Sequence, residues 1–473
     1  MKKALTSLCT VALLTLKLIP PAMASTSPDH AMERLNQSLA KHHQTPQQKR
    51  TEFYQYVNDY LDEYEQWRDQ YTADLDQKKA RYIKAWGSGE VSDNTKEVRY
   101  ENENTVKQVI DYESNTAQVS VLVDVDTPTT LATKTLQQQH VTVNDQALAL
   151  SAAKTSEQLV DYSNAQEQKE RDFIIAQTES QLNEIDNQAE RLIHTPTGVP
   201  DDFIYQRAQD KKLALLSKAK QRITQLRGLY QAQRARLSVS TPQQPAVNHT
   251  SPSSPVIPPA ASHPREADAP ASNHVPEQSS PKKVVTFTID LPAGNLKQRA
   301  QKYQPMATAQ SKEWNIPRPL VMAIMHSESS FRPDATSHIP AYGLMQIVPS
   351  SAGYDVNRQI RHIDAPMQPD DLYNPPTNVE TGTAYLHILN SRYLNKITDP
   401  QSRLYCTIAA YNTGAGNVAK AFNIDHSTSI SQAAVRINQL SPDEVYQQLL
   451  AKLPYTETKN YLKKVTRRMS LYQ

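Results

Sequence analysis

Glu328 is the residue in this sequence best suited to hand over a proton, because of its neighbours. It lies in Val321-Met322-Ala323-Ile324-Met325-His326-Ser327-Glu328-Ser329-Ser330-Phe331, where Val321, Ile324, Met325 and Glu328 recur at the i, i+3, i+4, i+7 spacing of one helix face. A carboxyl on an apolar face loses solvation, which penalises its charged form and raises its pKa. A carboxylic acid that keeps its proton near neutral pH can act as a general acid. Three further stretches carry complementary groups: Ser337 with Ala341-Tyr342-Gly343-Leu344-Met345-Gln346, Ala409-Ala410-Tyr411-Asn412-Thr413-Gly414-Ala415-Gly416, and Glu457-Thr458-Lys459-Asn460-Tyr461. Gly343 lets backbone approach a ligand, and Gln346 and Asn412 supply amide donors and acceptors. Tyr411 and Tyr461 each offer a flat apolar face and a hydroxyl. Gly414 and Gly416 read as a tight, exposed turn. Together these groups suit an amide-bearing sugar chain. Taken singly, each has a plainer reading: a surface Glu328 or one paired with Arg332, a core tyrosine, glycines that only end a helix.

The elements that must position these groups are mostly helices. Pro317 and Pro319 sit where a helix start tolerates them, with Asn315 as the cap, and Pro333 forces an end soon after Phe331. After a short strand at Val284–Ile289, helices are expected over about 296–312, 318–329, 376–393, 401–412, 442–452 and 456–470. Glycine is scarce, at 10 residues, and five of them (Gly343, Gly353, Gly382, Gly414, Gly416) fall in this C-terminal third. Backbone positions of unusual conformation are therefore concentrated where the candidate site lies.

At 473 residues the chain is too long for one ordinary core, and two or three domains are expected. A net charge of +2 argues against general attraction to polyanions, so no nucleic-acid partner is expected. The first 24 residues read as an export signal: Lys2 and Lys3, an apolar run from Leu5 to Ile19 interrupted by Lys17, and the cleavage site Ala22-Met23-Ala24. That run is too short for a spanning helix, so no transmembrane segment is expected in the mature chain. Cleavage would leave Cys406 as the one cysteine, in an apolar run where a buried structural thiol is the default. Cys9 lies too early for lipidation at the cleavage site. No metal is expected: His326-Ser327-Glu328 has the His-x-Glu of zinc deaminases, but no Cys-x-x-Cys follows. No cofactor is expected either.

Along the chain, residues 30–86 read as a long helix with the aromatic stripe Phe53, Val57, Tyr60, Tyr64, Trp67, Tyr71 and Leu75, ended by Gly87-Ser88-Gly89. Val106–Tyr112 and Ala117–Val125 alternate as a hairpin with one buried face. Residues 30–150 thus form an α+β module. Residues 155–239 read as helical, and a helical hairpin or a coiled-coil face for a protein partner both fit the stripes Leu182, Ile185, Ala189, Leu192 and Leu216, Ala219, Ile223, Leu226, Tyr230, Leu237. Residues 240–283 are a Pro/Ser-rich linker, with ten of the chain's 31 prolines between Pro242 and Pro281. The domain from 284 to 473 carries the candidate site.

Glu-Ser-Ser-Phe, Gly-Leu-Met-Gln and Ala-Tyr-Asn-x-Gly-x-Gly, in this order, resemble the lytic transglycosylase (SLT) domain family of the lysozyme superfamily. The likeness covers roughly 295–473, and the α+β region around 50–125 resembles, more weakly, the N-terminal domain of a member of that family. The resemblance implies a mainly α chain with an α-helical, lysozyme-like catalytic domain. It implies an exported, periplasmic lyase, with peripheral outer-membrane association open, that cuts the MurNAc-β-1,4-GlcNAc bond of peptidoglycan and leaves 1,6-anhydroMurNAc ends. Glu328 would be the single catalytic acid, then base. Ser337 would contact the sugar's N-acetyl group, Met345, Gln346, Tyr411 and Asn412 would line the cleft, and Tyr461 would hydrogen-bond near the acid. With one carboxylate, the substrate's own acetamido oxygen can supply the nucleophile. Two alternatives stay open: a lysozyme-type hydrolase using a second carboxylate, for which Asp334 is the nearest in sequence, and a non-catalytic peptidoglycan-binding scaffold.

Overall fold

A computed structural model describes residues 45–139, 141–143, 146–148, 150, 153–193, 199–239, 281–292 and 294–473. The expected export signal and linker residues 240–280 lie outside the described residues. The chain divides into two units, residues 1–63 and 64–473. Of the first, the described part is the start of a long helix, α1 (Pro46–Trp86). A capping box fixes that start: the Thr45 hydroxyl accepts from the Gln48 amide N–H, and the Gln48 side chain accepts from the Thr45 N–H. The expected helix over residues 30–44 lies outside the described residues.

The second unit holds the rest of α1, a five-stranded antiparallel sheet and a two-residue pair, Thr142–Val143 with Gln146–Ala147. Strands β1 (Lys96–Glu101), β2 (Val106–Asp111) and β3 (Thr116–Asp124) form a meander. Helix α2 (Thr129–Gln137) follows, then β4 (Lys154–Leu159). Strand β5 (Lys282–Asp290) inserts between β3 and β4, giving the order β1-β2-β3-β5-β4. Its register runs from Thr116 opposite Asp290 to Asp124 opposite Lys282. This differs from the expected arrangement in two ways. The strand begins inside the residues assigned to the linker, and it belongs to the sheet rather than to the domain after it. The buried face explains the pairing: Val119, Val121, Val285 and Phe287 pack with Ala132 and Leu136 of α2, so β5 supplies half the apolar face that β3 needs.

Helices α3 (Asn164–Ile193) and α4 (Asp201–Val239) form an antiparallel pair. Ile185, Ala189, Ile204, Ala208 and Leu215 make its core. Buried and half-buried ion pairs tie it to α1: Arg207–Glu65 at 2.7 Å, Lys79–Glu170 at 2.9 Å and Arg222–Asp76 at 2.6 Å. The expected helical hairpin is present, and α3 packs on its own chain.

After β5 come α5 (Asn295–Trp314), α6 (Arg318–Ser329), α7 (Pro375–Ile388), α8 (Pro400–Thr413), α9 (Ala415–Lys420), α10 (Ile430–Ile437), α11 (Pro442–Lys452) and α12 (Thr456–Met469). One large core unites them, with α6 at its centre. Asn315 is not the cap of α6. It closes α5 in the left-handed conformation, and Pro317 precedes the first turn of α6. Sequence patterning missed α9 and α10, both short. Cys406 is fully buried in α8. Among the described residues, no helix is long and apolar enough to cross a membrane.

Candidate active site

Helix α6 is buried on every side, not along one stripe. From Leu320 to Arg332, Glu328 alone is not fully buried. Its position therefore follows from where the helix ends, at the one point where the core opens into a cleft. The end is held tightly. Ser330 and Phe331 both take positive φ, and the Ser330 N–H returns to the His326 carbonyl. The Ser329 hydroxyl donates to the Leu344 carbonyl at 2.8 Å, joining the two motifs through a buried bond. Arg299 donates to the Ser330 carbonyl at 2.9 Å, and Arg468 to the His326 carbonyl at 2.9 Å. Asn94, in the loop before β1, donates to the Glu328 carbonyl at 2.7 Å. Nothing in the sequence pattern marks Asn94, because the sheet brings it across 234 residues.

Burial pushes the Glu328 carboxyl up to about 7; the Tyr461 hydroxyl and Lys464 oppose that rise, and the Glu457 carboxylate adds to it. The Tyr461 hydroxyl is buried, and no partner lies at full bonding distance among the described residues, yet it is near enough to favour the carboxylate. Burial and the neighbouring Glu328 both push Tyr411 and Tyr461 well above the usual phenol range, so both remain donors.

Glu328, Ser337, Gln346, Tyr411 and Asn412 line one cavity of about 520 Å³. Gln346 is held by its Nε2, which donates to the Ala335 and Gly343 carbonyls, and its Oε1 has no partner among the described residues. An unpaired buried acceptor is costly unless a donor arrives, which suits a ligand amide or hydroxyl. The Ser337 hydroxyl accepts from the Ala341 N–H at 3.2 Å and donates to the Ile339 carbonyl, shaping its own loop. The Asn412 Oδ1 accepts from Thr458 at 2.7 Å.

Two expected lining residues do other work. The Met345 side chain is fully buried against Gly382, while its carbonyl accepts from the Tyr411 hydroxyl at 2.8 Å. Gly343, at φ +73°, turns its bare Cα toward the chain itself: a Cβ would fall 2.3 Å from the Leu372 carbonyl and 2.5 Å from the Asn378 Nδ2. Asn378, which sequence reading passed over, is the hub of this turn. It accepts from the Met345 N–H and donates to the Tyr342 and Leu372 carbonyls, each at 2.8 Å. Asp334 is largely exposed, beside Arg332, and does not line the cavity. The carboxylates that do are Glu179, Glu184 and Glu457.

The order of these motifs now has a counterpart among known families. Residues 305–433 match the Transglycosylase SLT domain family. The SLT match contains Glu328, Ser337, Gln346, Tyr411 and Asn412, and ends before Tyr461. Curated relatives include a membrane-bound lytic murein transglycosylase C from Cronobacter sakazakii, 41% identical over 208 residues, which are 44% of this chain and 56% of the relative. One of the same name from Actinobacillus pleuropneumoniae serotype 5b is 42% identical over 193 residues, 40% of this chain and 51% of the relative. The chain thus spans about half the length of the curated relatives it matches. A solved soluble lytic transglycosylase from Escherichia coli overlays with a TM-score of 0.27 and 25% identity, over 36% of this chain and 24% of that one.

Proposed function

We propose that this chain is a peptidoglycan lytic transglycosylase that cleaves the MurNAc-β-1,4-GlcNAc bond without water. The observation that carries the reading is the single cleft-facing carboxyl at the end of a helix buried from Leu320 onward, with a pKa near 7. At neutral pH such a group is both a competent acid and, once deprotonated, a competent base. Glu328 would first give its proton to the glycosidic oxygen as the C1–O bond breaks. The substrate's acetamido oxygen would stabilise the positive charge at C1. The Glu328 carboxylate would then take the proton of the C6 hydroxyl as that oxygen closes on C1. The product is a 1,6-anhydroMurNAc end, and Glu328 recovers its proton. Ser337 and Gln346 would orient the acetamido and hydroxyl groups, and Tyr411 and Tyr461 would hold the acid. An exported, periplasmic location fits this substrate and the leader-like first 24 residues.

A hydrolytic reading stays in view, since Glu179, Glu184 and Glu457 are further carboxylates in the same cavity, and Glu457 acts on the Glu328 carboxyl. Product mass separates the two on purified sacculi: an anhydro end lacks the water that hydrolysis adds. The proposal expects anhydromuropeptides from the wild type and none from Glu328→Gln. Hydrated ends, or wild-type release by the variant, would overturn it.

A further inference from the structure

Helix α1 carries an aromatic stripe, and from Glu65 onward that stripe is not the face that packs. The buried positions here are Glu65, Arg68, Thr72 and Lys79, at helical spacing. Three of them meet α3 and α4: Glu65 through Arg207, Thr72 through Gln181 and Lys79 through Glu170. Trp67 and Tyr71 lie on a different face, with Gln70 and Asp74, at the i, i+3, i+4, i+7 positions of one helix surface. Trp67 is 40% exposed, and its ring stacks on that of Tyr71, with centroids 6.0 Å apart and planes inclined by 28°. The Gln70 amide donates to the Asp74 carboxylate at 2.9 Å, and both side chains are exposed beside the rings.

This face adjoins the Glu328 cleft. The Tyr71 hydroxyl donates to the Ser337 carbonyl at 3.2 Å, a contact across 266 residues, and Ser337 lines the cavity. Burial, and after it the neighbouring Tyr373, push the Tyr71 phenol up, so it stays a donor there. Tyr373 is held in turn: its hydroxyl bonds that of Thr336 at 2.6 Å, and its ring meets Tyr342 edge-on at 5.4 Å. Ordered aromatic rings therefore lead from the Ser337 loop outward to Trp67. The cavity, at about 520 Å³, has the roughly 300–1,000 Å³ of a small-ligand site, so a polymer seated in it runs on over the surface beyond. A pyranose offers C–H groups on its faces and hydroxyls and amides on its edge. An exposed indole and phenol flanked by an amide and a carboxylate match both parts. A packing helix would instead be met by apolar neighbours along the whole face.

We infer that Trp67 and Tyr71 form a stacking platform for the glycan strand where it passes out of the cleft over Ser337. This rests on the glycan substrate of the transglycosylase reading above. Trp67 supplies the exposed ring, and Tyr71 both supports that ring and ties it to the loop that lines the cleft. The platform holds sugars remote from the bond that Glu328 acts on, so it favours long strands over short fragments.

The test uses the full chain as Glu328→Gln, which binds without cutting, and two probes: long, uncross-linked glycan strands and the disaccharide GlcNAc-MurNAc. Adding Trp67→Ala should weaken the affinity for strands about five- to tenfold, and that for the disaccharide less than about twofold. Adding Trp67→Phe instead keeps a ring, and should hold strand affinity within about threefold of the parent. Equal losses with both probes, no loss with strands, or a Phe variant as weak as the Ala variant would overturn the inference. A second measurement leaves Trp67 in place. Strands bound to the parent should shield Trp67 from oxidation by dissolved N-bromosuccinimide, read by peptide mass mapping, and the disaccharide should not. Oxidation of Trp67 at the same rate with and without strands would also sink the platform. The reaction fails separately: a wild type that makes no anhydro ends removes the transglycosylase reading, while strand affinity that depends on Trp67 keeps the platform.

Discussion

Replacing Glu328 by Gln should stabilise the protein at neutral and alkaline pH while it abolishes activity. In the unfolded chain this carboxyl titrates near 4.5, and in the fold at about 7. Between those values the folded state holds a proton that the unfolded state has released. Stability therefore falls as pH rises through this window and levels off above about 7. At about 1.36 kcal/mol per pH unit, the full cost of ionising Glu328 in place is about 3 kcal/mol. The side chain is partly exposed at the cleft mouth, so water recovers some of this, and about 2 kcal/mol is the expected net figure. Gln has the same shape and never ionises. For a unit spanning residues 64–473, at about 2.1 cal/mol/K of unfolding entropy per residue, about 1 °C of melting temperature accompanies each kcal/mol, so the variant should melt about 2–3 °C above wild type at pH 8. At pH 4 the two should melt together. Thermal scans of both proteins between those limits check it. A difference that does not change with pH would refute the buried-acid argument, even if the variant were inactive. For the wild type, the same proton predicts that kcat/KM falls with rising pH above about 7, as the acid form disappears.

Three further substitutions probe the support of the site. Gly343→Ala places a Cβ against the Leu372 carbonyl in a positive-φ turn, and should cost about 2–4 kcal/mol in denaturant unfolding and empty the cleft of activity. Asn378→Ala leaves the Met345 N–H and two carbonyls buried without partners, and should cost about 2–4 kcal/mol, read the same way. Tyr411→Phe removes only the bond to the Met345 carbonyl, and should cost about 1 kcal/mol of stability with a larger fall in kcat than in the affinity of the Glu328→Gln form for strands.

The local motifs were legible because each is a short-range signal. The Gly343 turn and the Ser330 end lie within a few residues of Glu328 or Gln346, the Pro317 start lies within the same helix, and the chemistry of an acid beside amides and tyrosines is written in residue types. What stayed hidden depends on contacts far apart in sequence. Glu328 was read as the polar end of an apolar stripe, yet α6 is buried all round, and periodicity cannot tell a stripe from a fully covered helix. Gly343 was assigned to a ligand because the partner that fills its missing side chain, Asn378, lies 35 residues on in another helix. Strand β5 was placed in the wrong layer because its partners, β3 and β4, lie more than a hundred residues earlier.

The same distance effect decides how the N-terminal part bears on the site. Read alone, the α3 stripe Leu182, Ile185, Ala189 and Leu192 faces α4, and that is where it packs. The polar residues of the same helix look like a solvated surface, yet Gln177 and Gln181 are almost fully buried. Burying amides costs free energy unless each finds a partner, so a polar face goes inside only where another polar surface matches it. Gln181 finds Thr72 of α1, while Gln177, Asn183 and Arg191 meet the rim of the cleft at the His338 carbonyl, Asn412 and Ser351. The bonds that satisfy α3 thus also fix the residues that line the cavity. A change in the α1–α3–α4 layer should therefore reach the cleft through Gln177 and the His338 loop without touching Glu328. Arg222→Ala, which leaves Asp76 and Gln177 without their partner, tests this. It should lower activity on strands while the Glu328 pH dependence stays in place. A shift of that pH dependence, or no change in activity, would break the link between the layer and the cleft.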